Sequence, residues 1–403
     1  MSLKHLFPAL ERGGVHYLDS AATSMRPESV LRAMDDYYRY DSANPHRGLY
    51  DMSQRSTAAY DGSRSVVAKF IGALPEETIF VRNTSEALNL IAYCFAPSVL
   101  GEGDNVVIPI TEHHSNIVTW QYVCKKQLAE LRYLYIDRET GAIPDGEFSK
   151  IDGRTKIVAF AHVTNVLGSV NPVEKLVAAA KKVGAATVCD IAQSVPHMPV
   201  DVRALGVDFA AFSAHKMYGP MGIGALYGRL ELLEAMPPFM YGGDMIEDVR
   251  EQETDFAPLP SKFEAGTQNC GGAVGFAAAV KFIEEVGYGA IAANEAALLR
   301  KLTEGLRKIP GVTIACDAGA YERHAAVSFL VDGVHPHDVS TILNDSDIAV
   351  RAGKHCAHPL LDYLEIPFRS TTRASLGVYS DADDIDALLE ALPKVRRIMG
   401  YGD

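Results

Sequence analysis

The chain runs to 403 residues, of which 48% are apolar, and its 38 basic against 51 acidic side chains leave a net charge of −13. A length of this order outgrows one small core and predicts two domains, while the acidic balance argues against a general affinity for nucleic acid or anionic membranes. The longest apolar run, Cys270 to Val280, is far shorter than the roughly 20 residues that span a bilayer and predicts a buried helix.

At the N-terminus, Lys4, Pro8 and Glu11 fall where a secretion signal would need an unbroken apolar stretch, so a cytoplasmic location is expected. From residue 60 to 230, short β-rich runs alternate with helical patterns: Thr78 to Val81, Asn105 to Pro109, Lys156 to Phe160, Ala186 to Asp190, Asp208 to Phe212 and Gly224 to Tyr227. That rhythm predicts an α/β fold with a mainly parallel sheet flanked by helices. Asn171, Pro172 and Glu174 read as the N-cap, first-turn proline and capping-box carboxylate of a helix that Gly184 ends. The polar, acidic, proline-bearing stretch from Asp244 to Lys262 predicts a long loop. After the Cys270 run come a helical stretch over Ala290 to Arg307, strands near Val312 to Cys316 and Ala325 to Val331, a helix from Pro336 and a last helix from Asp381 to about Met399. These predict a smaller α+β domain.

In an open α/β sheet, ligands bind beyond the carboxyl ends of the strands, and the residues there are polar and particular. Arg82-Asn83-Thr84-Ser85-Glu86 follows the first strand and opens a helix, offering backbone N–H groups and two hydroxyls to an anion such as phosphate. Serine and threonine are also ordinary N-caps. Glu112-His113-His114-Ser115-Asn116 follows the second strand. Adjacent histidines face different ways, which disfavours a metal pair and favours one ring stacked on a planar ligand. His162 to Asn165 follows the third. Asp190-Ile191-Ala192-Gln193 places a carboxylate at the end of an apolar strand, where it needs a partner such as a protonated ring nitrogen. Ser213-Ala214-His215-Lys216 then ends another apolar strand. Most lysines are solvated, but such a setting depresses an amine pKa and makes a nucleophile or base. The glycines of Gly219 to Gly224 run G-x-x-G-x-G, which is not the dinucleotide fingerprint.

Six cysteines, at 94, 124, 189, 270, 316 and 356, show no close pairing and no C-x-x-C, indicating neither a zinc ribbon nor a disulfide framework. Cys94, Cys124 and Cys189 lie in apolar surroundings and read as small buried hydrophobes. Cys356 lies in Arg351-Ala352-Gly353-Lys354-His355-Cys356-Ala357-His358-Pro359. Three crowded ligands on one short loop make a poor zinc site, so no metal is expected there. Lys354, His355 and His358 should instead favour the thiolate near neutrality.

The strand-end Asp-x-Ala-Gln, the Ser-x-His-Lys that follows it and the late Arg-Ala-Gly-x-His-Cys-Ala-x-Pro together resemble cysteine desulfurases of the class V aminotransferase superfamily. The resemblance is to the shorter-loop group II branch, which includes selenocysteine lyases. Matching blocks run from Tyr17-Leu18-Asp19-Ser20-Ala21-Ala22-Thr23 to Arg373-Ala374-Ser375. The resemblance implies the fold type I of pyridoxal-phosphate-dependent transferases. In that fold a large domain, residues 20–275, holds a mainly parallel seven-stranded sheet, and a smaller α+β domain, residues 1–19 and 276–403, carries the cysteine loop.

It further implies that Lys216 holds pyridoxal 5'-phosphate covalently, that Asp190 pairs with the ring nitrogen, and that His113 stacks on the ring and acts as acid or base. Gln193 would contact the ring hydroxyl, and Ser85, Ser213 and His215 would bind the phosphate with backbone help from Thr84. Thr267 would reach the phosphate of a neighbouring subunit, making a homodimer. Arg373 and Asn165, with Arg351 as a second candidate, would bind the carboxylate of L-cysteine. Cys356 would take the sulfur as a persulfide and pass it to an acceptor protein, in iron–sulfur cluster or other sulfur-cofactor assembly. The departures from the family pattern are Ile191 for a frequent Gly, Pro45 inside Asn44 to Gly48, Gln268 for a frequent Pro and Lys354 for a frequent His. Selenocysteine lyase, cysteine sulfinate desulfinase and a non-catalytic scaffold are the competing readings. Cys356 argues against aminotransferase or epimerase chemistry, and intact Lys216, Asp190 and His113 argue against a scaffold.

Overall fold

A computed structural model describes residues 2–11, 13–318 and 323–401. Seven strands form the central sheet: β1 (Thr78–Val81), β2 (Asn105–Pro109), β3 (Glu130–Leu134), β4 (Thr155–Ala161), β5 (Ala186–Asp190), β6 (Phe209–Ser213) and β7 (Gly224–Gly228). Their spatial order is β1-β7-β6-β5-β4-β2-β3. β7 runs antiparallel to both neighbours, and the pairs from β6 across to β3 are parallel. Strands β2, β6 and β7 are buried at every residue, which is why they read as continuous apolar runs. Alternate residues feed two cores. Val107, Val158, Phe160, Ala210 and Phe212 enter one, while Val106, Ile108, Ile157, Ala159, Phe209 and Ala211 enter the other.

Four details differ from the sequence reading. The strand-by-strand reading lacked β3, an edge strand whose residues are largely half-exposed. β4 extends beyond both predicted ends. The helix Val173–Val183 does end at Gly184, in the left-handed region at φ 74°, but its N-cap is Pro172. Asn171 does not cap it, because its Nδ2 donates to the Ala161 carbonyl at 2.7 Å. The segment expected as a long loop folds in part into an antiparallel hairpin, β8 (Ile246–Val249) with β9 (Thr254–Phe256).

The apolar run is a buried helix, Cys270–Val286, packed on the helices Glu28–Tyr40 and Asp51–Phe70. Beyond it, β10 (Val312–Ile314), β11 (Ala326–Val331), β12 (Arg351–Gly353) and β13 (Thr371–Ser375) form an antiparallel sheet in the order β10-β11-β13-β12. Leu302, Leu306, Phe329, Val339, Leu388 and Leu392 fill its core, which also takes Leu18. The N-terminal segment returns to this region, since His16 and Tyr17 pair in parallel with Ile348 and Ala349. Among the described residues no helix is long and apolar enough to cross a membrane.

A buried ion cluster joins the two regions. Glu295, on the helix Tyr288–Lys308, meets His197 Nδ1 at 2.7 Å and His324 Nδ1 at 2.9 Å, and accepts from the Ala325 N–H at 2.9 Å. Burial alone would raise the Glu295 pKa, but the two histidines overcome it and hold the carboxyl down at about 2. A carboxyl whose folded pKa lies below its ordinary 4.5 contributes stability that is complete above 4.5 and lost as pH falls towards about 2. Glu295→Gln is therefore expected to flatten the acid limb of a stability–pH curve over that window. Parallel limbs in urea titrations of both proteins would contradict it.

Candidate active site

The carboxyl ends of β1, β2, β4, β5 and β6 converge on a cavity of about 290 Å³. Thr84 and Ser85 come from the turn after β1, His113 and Ser115 from the segment after β2, and Asn165 from the segment after β4. Asp190 ends β5, Ser213 ends β6, and His215 and Lys216 occupy the turn that follows. The second region closes the cavity with Arg351, His355, Cys356 and Arg373. Two of the sequence-selected residues are not part of its lining. Gln193 is absent from the lining, and its Nε2 donates to the Ala21 carbonyl at 2.7 Å. Thr267 lines a separate cavity with Tyr60, Phe80 and Gln268.

Burial lowers the Lys216 amine pKa, Arg373 adds to that, and Asp190 opposes it. Asp190 is raised by burial, against the pull of Lys216 and of the Ala192 N–H that its Oδ1 accepts at 2.9 Å. The result is a desolvated amine facing a desolvated carboxyl, each poised for a charged partner. His113 is held down at about 3 by burial and by Lys216, His114 and Arg373, so its ring is neutral. Its Nδ1 accepts the Ser115 N–H at 3.1 Å, which leaves the hydrogen on Nε2. Burial and Lys216 likewise hold His215 at about 4.

At one end of the cavity, Ser213 Oγ accepts from the Thr84 N–H and meets Thr84 Oγ1, both at 2.8 Å, and Ser85 Oγ meets Ser115 Oγ at 2.6 Å. At the other end, Asp19 pairs with Arg351 at 3.0 Å and with Arg373 at 3.3 Å. Arg373 is buried. It donates through Nη1 to the Asn165 carbonyl at 2.8 Å, and its Nε, also buried, has no hydrogen-bond partner among the described residues. A buried, unpartnered N–H on a cation is costly and calls for an anion. Asp19, Asn83 and Ser115 were given no role in the sequence reading, although Asp19 stands within the Tyr17 to Thr23 block that carried the resemblance.

Cys356 is exposed, whereas the other five cysteines are buried. Its thiol interacts electrostatically with Lys216, Arg351 and Arg373. The His355 imidazole does not add the positive charge expected of it. Burial and Arg373 hold His355 at about 3, and its Nε2 donates to the Thr371 carbonyl at 3.0 Å; His358 turns to His114. His355 and Cys356 both sit in the left-handed region, at φ 47° and 56°, a strain of roughly 1–3 kcal/mol per residue. The Asn165 Nδ2, donating to the His355 carbonyl at 2.6 Å, helps hold that conformation. Among the described residues no group of three or more His, Cys, Asp or Glu side chains could hold a metal ion.

The aminotransferase class-V family model matches residues 16–388. A probable cysteine desulfurase of Halalkalibacterium halodurans is 44% identical over 99% of this chain and 98% of its own length. This chain belongs to the class-V aminotransferases, among their cysteine desulfurases. The solved structures most like it in the same family include the apo cysteine desulfurase of Thermococcus onnurineus, 40% identical with a TM-score of 0.92 over 98% of both chains. Another is the desulfurase CsdA of Escherichia coli in its S-sulfonic acid form, 34% identical with a TM-score of 0.89 over 98% of both chains. The type I fold read from the sequence is thus the fold of this family.

Proposed function

We propose that the chain binds pyridoxal 5'-phosphate through Lys216, takes the sulfur of L-cysteine onto Cys356 and releases alanine. The observation that carries this is one cavity holding both a desolvated lysine amine and an exposed cysteine thiol, contributed by different regions. The donor set fits the cofactor. Asp190 offers a carboxylate for the ring nitrogen, while Thr84, Ser85, Ser213 and His215 offer hydroxyl, backbone and imidazole donors for the phosphate. When bound, pyridoxal phosphate supplies the electron sink that lets an amino acid lose its Cα proton.

Each side chain then has a defined task. Arg373, with its free Nε, and Asn165 hold the substrate carboxylate, and Asp19 fixes the guanidinium that does so. Lys216 Nζ, whose pKa desolvation lowers, receives the Cα proton. His113, neutral and in the cavity lining, would stack on the bound ring and hold or return a proton through Nε2. The Cys356 thiolate attacks the substrate sulfur: an S–S bond forms, the Cβ–S bond breaks, and its electron pair stays with the three-carbon remainder. That remainder gains one proton at Cβ, regains at Cα the proton that Lys216 took, and leaves as alanine. A reductant or acceptor thiol must then remove the persulfide sulfur.

We further propose a cytoplasmic homodimer in which Thr267, outside the cavity of its own chain, serves the partner's phosphate site. Alanine and sulfide release from cysteine in the presence of a thiol reductant tests the main reading. Cys356→Ala is expected to lose cysteine turnover about 100-fold while keeping cofactor absorbance; wild-type turnover by this variant would exclude the thiol step. Parallel assays with selenocysteine and cysteine sulfinate separate the competing substrates, because a better leaving group depends less on the thiol.

A further inference from the structure

The Cys356 loop is fastened to the large sheet by a contact outside the cavity. The His114 N–H donates to the Cys356 carbonyl at 2.7 Å. His114 Nε2 lies 2.8 Å from His358 Nδ1 and 3.3 Å from the His358 backbone N, and the two rings stack with centroids 4.6 Å apart. A backbone N–H can only donate, so the network assigns His114 Nε2 as acceptor and places the hydrogen of the side-chain bond on His358 Nδ1. His114 thus grips the loop at two points, on either side of Ala357. Neither ring lines the cavity, and the proposed chemistry uses neither.

We propose that His114 and His358 are positioning residues for Cys356, their imidazole pair holding the strained loop so that the thiol stands over the cavity; this rests on the desulfurase reading. The bond needs one donor and one acceptor. A proton added to His114 Nε2 sets N–H against N–H and charge against charge, so acid should release the loop. Burial and the neighbouring His358 hold His114 below its ordinary range, which keeps the acceptor form. The other charged or titratable groups facing the pair are His113 on the β2 side, the Cys356 thiol, and Lys354 and Asp362 on the loop and the helix His358–Tyr363, with Asp362 paired to Arg369.

The test compares holoenzyme of the wild type, His358→Leu and His358→Asn by pH profiles of kcat and KM for alanine release, and by hydrogen exchange of residues 354–358. Leucine fills space without bonding, so kcat is expected to fall about tenfold at unchanged KM, with rapid loop exchange at every pH. Asparagine places an amide where Nδ1 stands and can flip to match either form of His114. It should restore kcat and abolish the rise in loop exchange that the wild type shows on acidification. Wild-type kcat and loop exchange in the leucine variant, a loss borne by KM alone, or no rescue by asparagine would each overturn the proposal. Should the wild type release no alanine while the exchange step is present and removed by asparagine, the latch stands and the desulfurase reading fails.

Discussion

Replacing Lys216 with alanine is expected to lower alanine release from cysteine by about 10⁴-fold, the upper range for losing a group that moves a proton. The size of the effect follows from position. The amine stands in the turn after β6, is desolvated, and shares the cavity with Asp190, His113 and Cys356. His113 is neutral and lies within reach of the same charges, yet it is fixed through Nδ1 by Ser115. It cannot rotate into the place that the lysine leaves. Lys216→Arg should fail almost as badly, because a guanidinium stays protonated at any pH the fold tolerates and cannot accept a proton. Steady-state assays beside the cofactor's absorbance check this: the phosphate donors should still retain the cofactor, now without its covalent link. Turnover above one hundredth of wild type in either variant would remove Lys216 from the chemistry.

Much of this arrangement was legible from residues alone because the strands that build the cavity are buried on both faces. Uniform burial leaves apolar runs with abrupt polar ends, and those ends are where Asp190, Ser213 and Lys216 stand. β3 escaped because an edge strand with half-exposed residues carries a weaker pattern. Asn171 misled for a different reason: an asparagine before a helix can donate as well as accept, and here the buried carboxyl end of β4 offered a carbonyl. The Cys356 loop was the least legible part. Of the groups that interact electrostatically with its thiol, Arg351 is near in sequence, but Lys216 and Arg373 come from distant segments. The tie from His114 to His358 spans 244 positions and has no local signature. Adjacent histidines facing opposite ways did show in the sequence, and the structure gives each a separate destination, His113 the cavity and His114 the loop.

The largest single effect on stability is expected at Glu264, outside the lining of the active-site cavity. Its carboxylate accepts four hydrogen bonds: from Arg64 Nη1 and Nη2 at 2.6 Å each, from the Tyr60 hydroxyl at 2.7 Å and from the Phe80 N–H at 2.7 Å. Arg64 also donates to the Thr78 carbonyl at 2.9 Å, and both charged side chains are buried. The cluster pins the helix Asp51–Phe70 and strand β1 to the segment leading into the helix Cys270–Val286. Glu264→Ala leaves a guanidinium buried without its counter-charge and is expected to cost about 3–5 kcal/mol. Arg64→Met strands the carboxylate but leaves it two donors, and should cost somewhat less. The double variant Arg64→Met with Glu264→Leu removes both charges together. It should be more stable than the Glu264 single variant, since no unpaired charge remains. Urea denaturation of the four proteins closes this cycle. Additive losses would mean that the ions act independently and that packing of the aliphatic stems, not pairing, holds this junction. Because Thr267 lies three residues beyond Glu264, the single variants should also weaken the proposed homodimer, measurable by sedimentation, whereas Glu295→Gln should not.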